Sequence, residues 1–519
     1  MLQKSIGQIL PEAAAKFADK TALVFGDRTF TFAELDKLSN RVANGLTEMG
    51  IVPGDRVTLY AQNGWEWVVS YYGIAKTGAV LNPINVMLTP DEVAYVVKDC
   101  GARALLTTAD RAAPILDLKD DTDLAGIVTF GSGDGGSGAP DGAVSFDDLL
   151  EGGSDTFDIA TVAATDLGKI CYTSGTTGFP KGAMLSHRNV VLNAAMTAAM
   201  NMRVADDVQL TALPCAHVYG AAIMNLCMLF GSTFVLMERF DAGEVMDAVQ
   251  THRATVMDGV PTMYFYMLAH PEFDRFDLSS LTRAVAGGQT MPVAKSEEWT
   301  ARVGCPMLEL WGMTELAGPG IMQHSYGENR LGSAGVEMLY VRARIADAED
   351  ASITLPNGEV GELMIAGPLV MMGYFGNEKA TREAIEPDGW LHSGDLAKMD
   401  DDGYIFVVDR KKDMILTAGY NIYPAEIERV ISGHPAVAMV GVGAKADDEK
   451  GEIAKAYVVL KPGAQATPDE IRKHCRDRLA AYKVPREVQI VPDLPTTSTG
   501  KILRRELHTL DDAEQAAAE

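Results

Sequence analysis

An α/β protein is what this sequence predicts, with doubly wound, mostly parallel sheets in a large N-terminal part and a smaller α+β unit at its C-terminus. Three observations carry that expectation. The chain has 519 residues, more than one core organises, since single hydrophobic cores stop growing near about 250–300 residues. Its composition, 47% hydrophobic and 22% charged, is that of an ordinary water-soluble globular protein. Short apolar runs alternate with helix-period segments of about ten residues, the pattern of β-α-β units.

The alternation is regular over the first hundred residues. Arg56–Tyr60 reads as a strand, Trp65–Lys76 as a helix, 79–81 as a strand, 91–100 as a helix and 102–107 as a strand. Thr31-Phe-Ala-Glu34 has the spacing of a capping box, hydroxyl at the cap and carboxylate three residues on. Residues 131–142, GSGDGGSGAPDG, are glycine-rich and aperiodic; because α/β patterning resumes on both sides, they read as an exposed loop within a domain. Ser186-His-Arg-Asn189 caps a helix over 190–200. Pro356-Asn-Gly358 reads as a hairpin turn ahead of a strand. Asp400-Asp-Asp-Gly403 is a turn before a strand at 404–408, and Pro424 with Glu426 opens a helix. Segments 437–442, 454–460 and 468–480 then alternate strand and helix, an α+β unit of about a hundred residues.

A formal charge of −26 argues against nucleic acid or an anionic membrane surface as the main partner. It leaves room for an anionic small molecule in a locally basic pocket. The six cysteines show no C-x-x-C pair and no zinc spacing, so a reducing, cytoplasmic setting is expected. The first residues lack an apolar signal-peptide core, and no apolar run reaches the roughly 18 residues of a membrane span. A homodimer is compatible with the sequence, which says nothing further about assembly.

The strongest chemical signal is Tyr172-Thr-Ser-Gly-Thr-Thr-Gly-Phe-Pro-Lys-Gly182, with three glycines, four aliphatic hydroxyls and a lysine in eleven positions. Glycines turn backbone N–H groups toward an anion, and hydroxyls and an ammonium complete the cradle. A Walker loop is excluded, because Pro180 precedes the lysine and no Ser or Thr follows it to hold magnesium. The stretch resembles the phosphate loop of the adenylate-forming superfamily, which includes acyl- and aryl-CoA synthetases, firefly luciferase and peptide-synthetase adenylation domains. It matches [Y/F]-T-S-G-T-T-G-x-P-K-G at every fixed position. The resemblance implies that Thr173, Ser174, Gly175, Thr176, Thr177, Gly178 and Lys181 hold the ATP phosphates.

Further motifs follow in the family's order. Ala286-Gly-Gly-Gln-Thr290 resembles the adenine-edge loop, placing Gly287, Gly288 and Gln289 at the nucleotide; many fatty acyl-CoA synthetases carry Ala where Gln289 stands. In Leu310-Trp-Gly-Met-Thr-Glu315 the resemblance puts Trp311, Gly312 and Met313 against adenine, Thr314 on a phosphate and Glu315 on Mg²⁺, a hard cation that takes few protein ligands. Leu310 replaces the family's usual Gly, so a different local turn is expected. Trp390-Leu-His-Ser-Gly-Asp395 supplies the ribose-binding Asp395, and Asp409-Arg-Lys-Lys412 supplies the ribose-binding Arg410 and, at Lys412, the hinge. The resemblance therefore divides the chain into an adenylation domain, 1–411, and a mobile C-terminal domain, 412–519. In the latter, Ala418, Gly419 and Tyr420 resemble the pantetheine-packing loop, and Pro495-Thr-Thr-Ser-Thr-Gly-Lys501 the motif whose lysine bridges carboxylate and α-phosphate.

Leu213-Pro-Cys-Ala-His217 contains a histidine that reads by itself as a core residue. The family's P-x-x-H motif instead puts His217 at the mouth between acyl pocket and adenylate; Ala216, where the family is bulky, is expected to widen it. Val218, Tyr219, Gly220, Val260 and Met263 would line the acyl pocket. The lining segments mix small residues with Met and Tyr and offer no Arg or Lys for a second carboxylate, which disfavours diacids. The implied activity is ATP-dependent carboxylate–CoA ligation through an acyl-adenylate, with Mg²⁺, ATP and CoA, on fatty acids first. An aryl acid, kept open by Gln289 and the small Gly220 and Ala221, is the alternative, as is loading of a carrier protein.

Overall fold

The computed structural model describes residues 3–116, 122–131, 139–173, 180–417, 420–447 and 451–511; for 420, 421 and 451 it describes the backbone alone. Among the described residues the strands form four sheets, of nine, eight, four and five strands. Two of them make the expected doubly wound, mostly parallel core. The nine-stranded sheet runs in the order 336–337, 318–322, 307–313, 283–287, 256–259, 208–211, 233–236, 21–25, 28–31, parallel from Met307–Met313 through Thr21–Phe25. The eight-stranded sheet is parallel from Leu167–Thr173 through Val144–Ser145 and closes with antiparallel Lys181–Ser186 and Gly373–Tyr374.

Local chemistry accounts for the helix ends. Thr31 and Glu34 form the expected capping box, and Thr89/Glu92, Ser186/Asn189 and Thr467/Glu470 repeat the device. Trp65–Lys76 is helical and buried on nearly every side, because it runs within the core; this is why its apolar period is weak. The helix at 468–480 is shorter than expected, ending at Arg476. Residues 132–138 of the glycine-rich loop lie outside the described residues.

The Asn357-Gly358 turn forms, with Glu359 N–H donating to Pro356 O. It is not a two-residue hairpin, because Gly361–Ala366 pairs with Arg342–Ala346, well back in the chain. These strands, with Leu391–Met399 and Ile405–Arg410, make the antiparallel four-stranded sheet. The break to the C-terminal sheet falls at the short 3₁₀ turn Lys411–Asp413, before Ile415–Thr417. The C-terminal unit has its own apolar core around Ile415, Ile427, Val440, Val458 and Ile471. It touches the larger part where Tyr266 Oη donates to Asp493 at 2.8 Å and Thr262 Oγ1 donates to Gly500 O at 2.5 Å. No helix among the described residues is long and apolar enough to cross a membrane.

Candidate active site

Residues far apart in sequence converge where Met307–Met313 meets the four-stranded sheet. Trp311, on that strand, donates its indole N–H to Asp395 Oδ2 at 2.6 Å. Asp395 and Arg410 face each other across adjacent antiparallel strands, with Arg410 Nε 3.6 Å from Asp395 Oδ1. Burial raises the Asp395 carboxyl, and Arg410, the Trp311 N–H and Lys501 pull it back. Gly312 lies at a register shift in the same strand, and Met313 ends it. The expected altered turn at Leu310 does not form. Leu310 is extended, opposite Gly287 on one side and Met322 on the other, because a strand with two partners leaves no freedom to turn.

Thr314 opens a 3₁₀ turn that brings Glu315 inward. The Glu315 carboxylate accepts a hydrogen bond from Tyr374 Oη at 2.7 Å, and its pKa is raised, chiefly by burial. Lys181 Nζ lies 5.3 Å from the centre of the Tyr374 ring. Tyr374 thus connects Lys181, at the end of the expected phosphate loop, to the Trp311–Glu315 segment. No motif singles it out; its place follows from the pairing of Gly373–Tyr374 with Lys181–Ser186. Thr173 ends its strand opposite Lys181, while Ser174, Gly175, Thr176, Thr177 and Gly178 lie outside the described residues. Among the described residues no group of three His, Cys, Asp or Glu gathers as a metal cluster. A lone Glu315 fits a hard cation whose other ligands are phosphate oxygens and water.

Lys501 lies against Gly288, in the loop expected at the adenine edge. Gly288 has φ +89°, and a Cβ there would stand 2.5 Å from Lys501 Cε and 3.1 Å from Nζ. Gln289 follows, partly exposed. Val260 packs under the same point, 3.6 Å from the Gly288 position and 3.1 Å from that of Gly500. Burial and the neighbouring Arg410 push the Lys501 ammonium down to about 8, against the pull of Asp395. His217 caps the Val218–Phe230 helix, its Nδ1 accepting from Tyr219 N–H at 3.2 Å. Burial, then Lys501, then Lys169 press its pKa to about 3, so the imidazole is neutral.

Val218 and Met263 are buried, Met263 beside Gly259. Tyr219 stands with its ring edge 3.0 Å from a Cβ placed on Gly287, and its Oη donates to buried Asp258 at 2.8 Å. Asp258 is paired with Arg203 at 2.7 Å. Gly220 has a different reason to be small than a roomy pocket: a Cβ there would stand 2.3 Å from Pro214 O, so backbone packing requires it. Ala418 and Gly419 lie outside the described residues; Tyr420 begins a strand paired with Ile415–Thr417. Lys412, the expected hinge, is exposed within the Lys411–Asp413 turn. Next to it Asp409 accepts from Arg504 at 2.5 Å, and Arg504 also grips Glu428 at 2.6 Å.

The chain is similar over nearly its whole length to known proteins. Residues 10–375 match the family model described as AMP-binding enzyme, and 426–501 match the AMP-binding enzyme C-terminal domain. Feruloyl-CoA synthase of Amycolatopsis sp is 38% identical, covering 94% of this chain and 95% of that protein. A long-chain-fatty-acid–CoA ligase of Bacillus subtilis (strain 168) is 33% identical over 97% of this chain and 94% of its own. The crystal structure of the anthranilate CoA ligase AuaEII in complex with anthranoyl-AMP superposes with a TM-score of 0.92 at 29% identity, covering 100% of this chain and 99% of that one.

Proposed function

The chain belongs to the AMP-binding enzyme family and is an AMP-forming acyl-CoA synthetase; from that premise we propose how its own residues divide the work. A carboxylate oxygen attacks the α-phosphorus of ATP, the bond to pyrophosphate breaks, and an acyl-adenylate forms. Two anions must approach, so positive charge has to be in place first. Lys501 supplies it, bridging carboxylate and α-phosphate, and the observation that carries this role is its seat against Gly288. Asp395 accepts from the ribose hydroxyls, oriented by the Trp311 N–H and flanked by Arg410. Thr314 and Lys181 take phosphate oxygens. Glu315, oriented by Tyr374, is the residue that would hold Mg²⁺, which when bound neutralises phosphate charge.

In the second half-reaction the CoA sulfur attacks the acyl carbon, the bond to AMP breaks, and the thiol proton is released. That step needs the 418–420 loop rather than Lys501, so the C-terminal domain, 412–519, turns about Lys412 between steps. The clasp of Arg504 on Asp409 and Glu428 supports the adenylation arrangement as a defined state.

For the acid, an elongated aliphatic body is the first reading. The buried Tyr219 ring gives the lining an apolar face, while its hydroxyl proton is committed to Asp258 and unavailable to an aryl hydroxyl. The similarity to a feruloyl-CoA synthase keeps an aryl acid as the second. One-pot competition decides: Mg-ATP, CoA and an equimolar panel of fatty acids, benzoates and hydroxycinnamates, with acyl-CoA read by mass spectrometry. Dominance of aryl thioesters would reverse the order of the two readings. AMP release without any CoA thioester would point to a carrier protein as acceptor.

A further inference from the structure

Lys501 is carried on a turn that is closed on itself. Thr497 N–H donates to Lys501 O, Gly500 N–H to Thr497 O and Leu503 N–H to Pro495 O, each at 2.8 Å, and Lys501 N–H donates to Thr497 Oγ1 at 3.0 Å. A turn bonded in this way moves as one piece, so a hold on one of its atoms places the lysine beside it. The clasp of Arg504 on Asp409 lies next to the hinge turn. A restraint near a pivot leaves the far end of the moving part loosely placed, so Lys501 needs a hold at the turn itself.

The helix Pro261–Ala269 meets that turn. Met263, Tyr264, Met267 and Leu268 are buried, and Tyr264 Oη donates to Val285 O at 2.9 Å, so this side of the helix belongs to the core of the large part. Thr262 and Tyr266, four residues apart, share another face. Both give their hydroxyl protons to the C-terminal part: Thr262 Oγ1 to Gly500 O at 2.5 Å, and Tyr266 Oη to Asp493 Oδ1 at 2.8 Å. Thr262 is the second residue of its helix. A threonine deeper in a helix can turn its hydroxyl back to the carbonyl four residues earlier. Here that residue is Asp258, in a strand, and its carbonyl already accepts from Thr211 Oγ1 at 2.8 Å. The hydroxyl of buried Thr262 is thus left to reach the neighbouring domain. Gly500 permits the approach: its φ is +79°, and a Cβ there would stand 3.0 Å from Thr262 Oγ1 and 3.1 Å from Val260 Cγ2.

We propose that Thr262 is a positioning residue for adenylation. Through Gly500 O it sets Lys501 where carboxylate and α-phosphate meet, and Tyr266, through Asp493, makes the second contact of the same docking face. This rests on the role proposed for Lys501 and on the turning of the C-terminal domain between the half-reactions. Both contacts join the large part to the part that turns, so both are lost when the lysine withdraws. They stabilise one arrangement and not the other, and removing them shifts the balance toward the second. The two differ in weight. Without the Thr262 hydroxyl, Gly500 O loses its donor against a buried side chain, whereas Tyr266 is 37% exposed and water can take its place on Asp493.

The test uses the full chain with Mg-ATP and whichever fatty or aryl acid gives the most product in the competition above. ATP–pyrophosphate exchange is measured, and separately thioester formation from supplied acyl-adenylate and CoA, in Thr262→Val, Thr262→Ser, Tyr266→Phe and Lys501→Ala. Thr262→Val keeps the shape and removes the donor; it should lower kcat for exchange about tenfold with the KM for ATP little changed. Thr262→Ser should restore most of that loss, and Tyr266→Phe should lower kcat about twofold. Thioester formation should be unaltered or faster in all three. Unmoved exchange in folded Thr262→Val, or equal loss of both half-reactions, overturns the proposal; loss of exchange in Lys501→Ala would then show that the role of the lysine itself stands. Exchange that survives Lys501→Ala overturns that role and the proposal with it, as does a panel in which no acid supports exchange. If Thr262→Val does not fold, Tyr266→Phe, on a half-exposed ring, decides by the same split between half-reactions.

Discussion

Replacing Gly288 by alanine would separate the two half-reactions. The new Cβ would stand 2.5 Å from Lys501 Cε, where carbon–carbon contacts settle at about 3.5–4.0 Å, so the lysine side chain must retreat by about 1 Å. Its flexible end can do so, which is why the damage falls on chemistry more than on stability. A 1 Å misplacement of a catalytic group costs about 10²-fold in rate, and that is the expected loss in ATP–pyrophosphate exchange. The φ of +89° at this position adds strain of about 1–2 kcal/mol for an L-residue, enough to lower Tm by a few degrees. Thioester formation from supplied acyl-adenylate and CoA does not use Lys501, so it is expected to fall far less. A folded Gly288→Ala protein that exchanges pyrophosphate at the unaltered rate would refute the placement of Lys501. Equal loss of both half-reactions would refute the division of labour.

Other expectations follow from the same geometry. Because burial and Arg410 lower Lys501 to about 8 from 10.5, the required ammonium is lost as pH rises through about 8; kcat/KM for adenylation should decline there, and Arg410→Met should move the decline upward. Tyr374→Phe removes the donor to Glu315, a charge-assisted bond worth about 1.5–3 kcal/mol; adenylation at limiting magnesium should drop about tenfold or more and recover partly as magnesium is raised. Trp311→Phe leaves the buried Asp395 without its indole donor, and the KM for ATP should rise by a similar factor. Asp409→Asn weakens the Arg504 clasp, although Glu428 still holds the arginine. The expected loss is about 2–3 kcal/mol, with faster tryptic cutting at Lys411 and Lys412; unchanged digestion would argue against a clasp beside the hinge.

The sequence by itself determined the chemistry and much of the local structure. Capping boxes at Thr31 and Ser186, the Arg56–Tyr60 strand and the phosphate loop are written in short windows, where propensity and hydrogen bonding act between near neighbours. The groups proposed for adenylation, a lysine near the end, an aspartate and a carboxylate for a hard cation, were named by resemblance to the adenylate-forming superfamily. Only the tertiary structure decided which of them meet. Trp311 and Asp395 are 84 residues apart, and Tyr374 reaches Glu315 from a two-residue strand without a motif. Gly220 looked like room for a substrate and proves to be room for the Pro214 carbonyl. Periodicity states which face a residue takes but not which element lies opposite. That depends on strand order and helix packing, which are set by the burial of the whole chain.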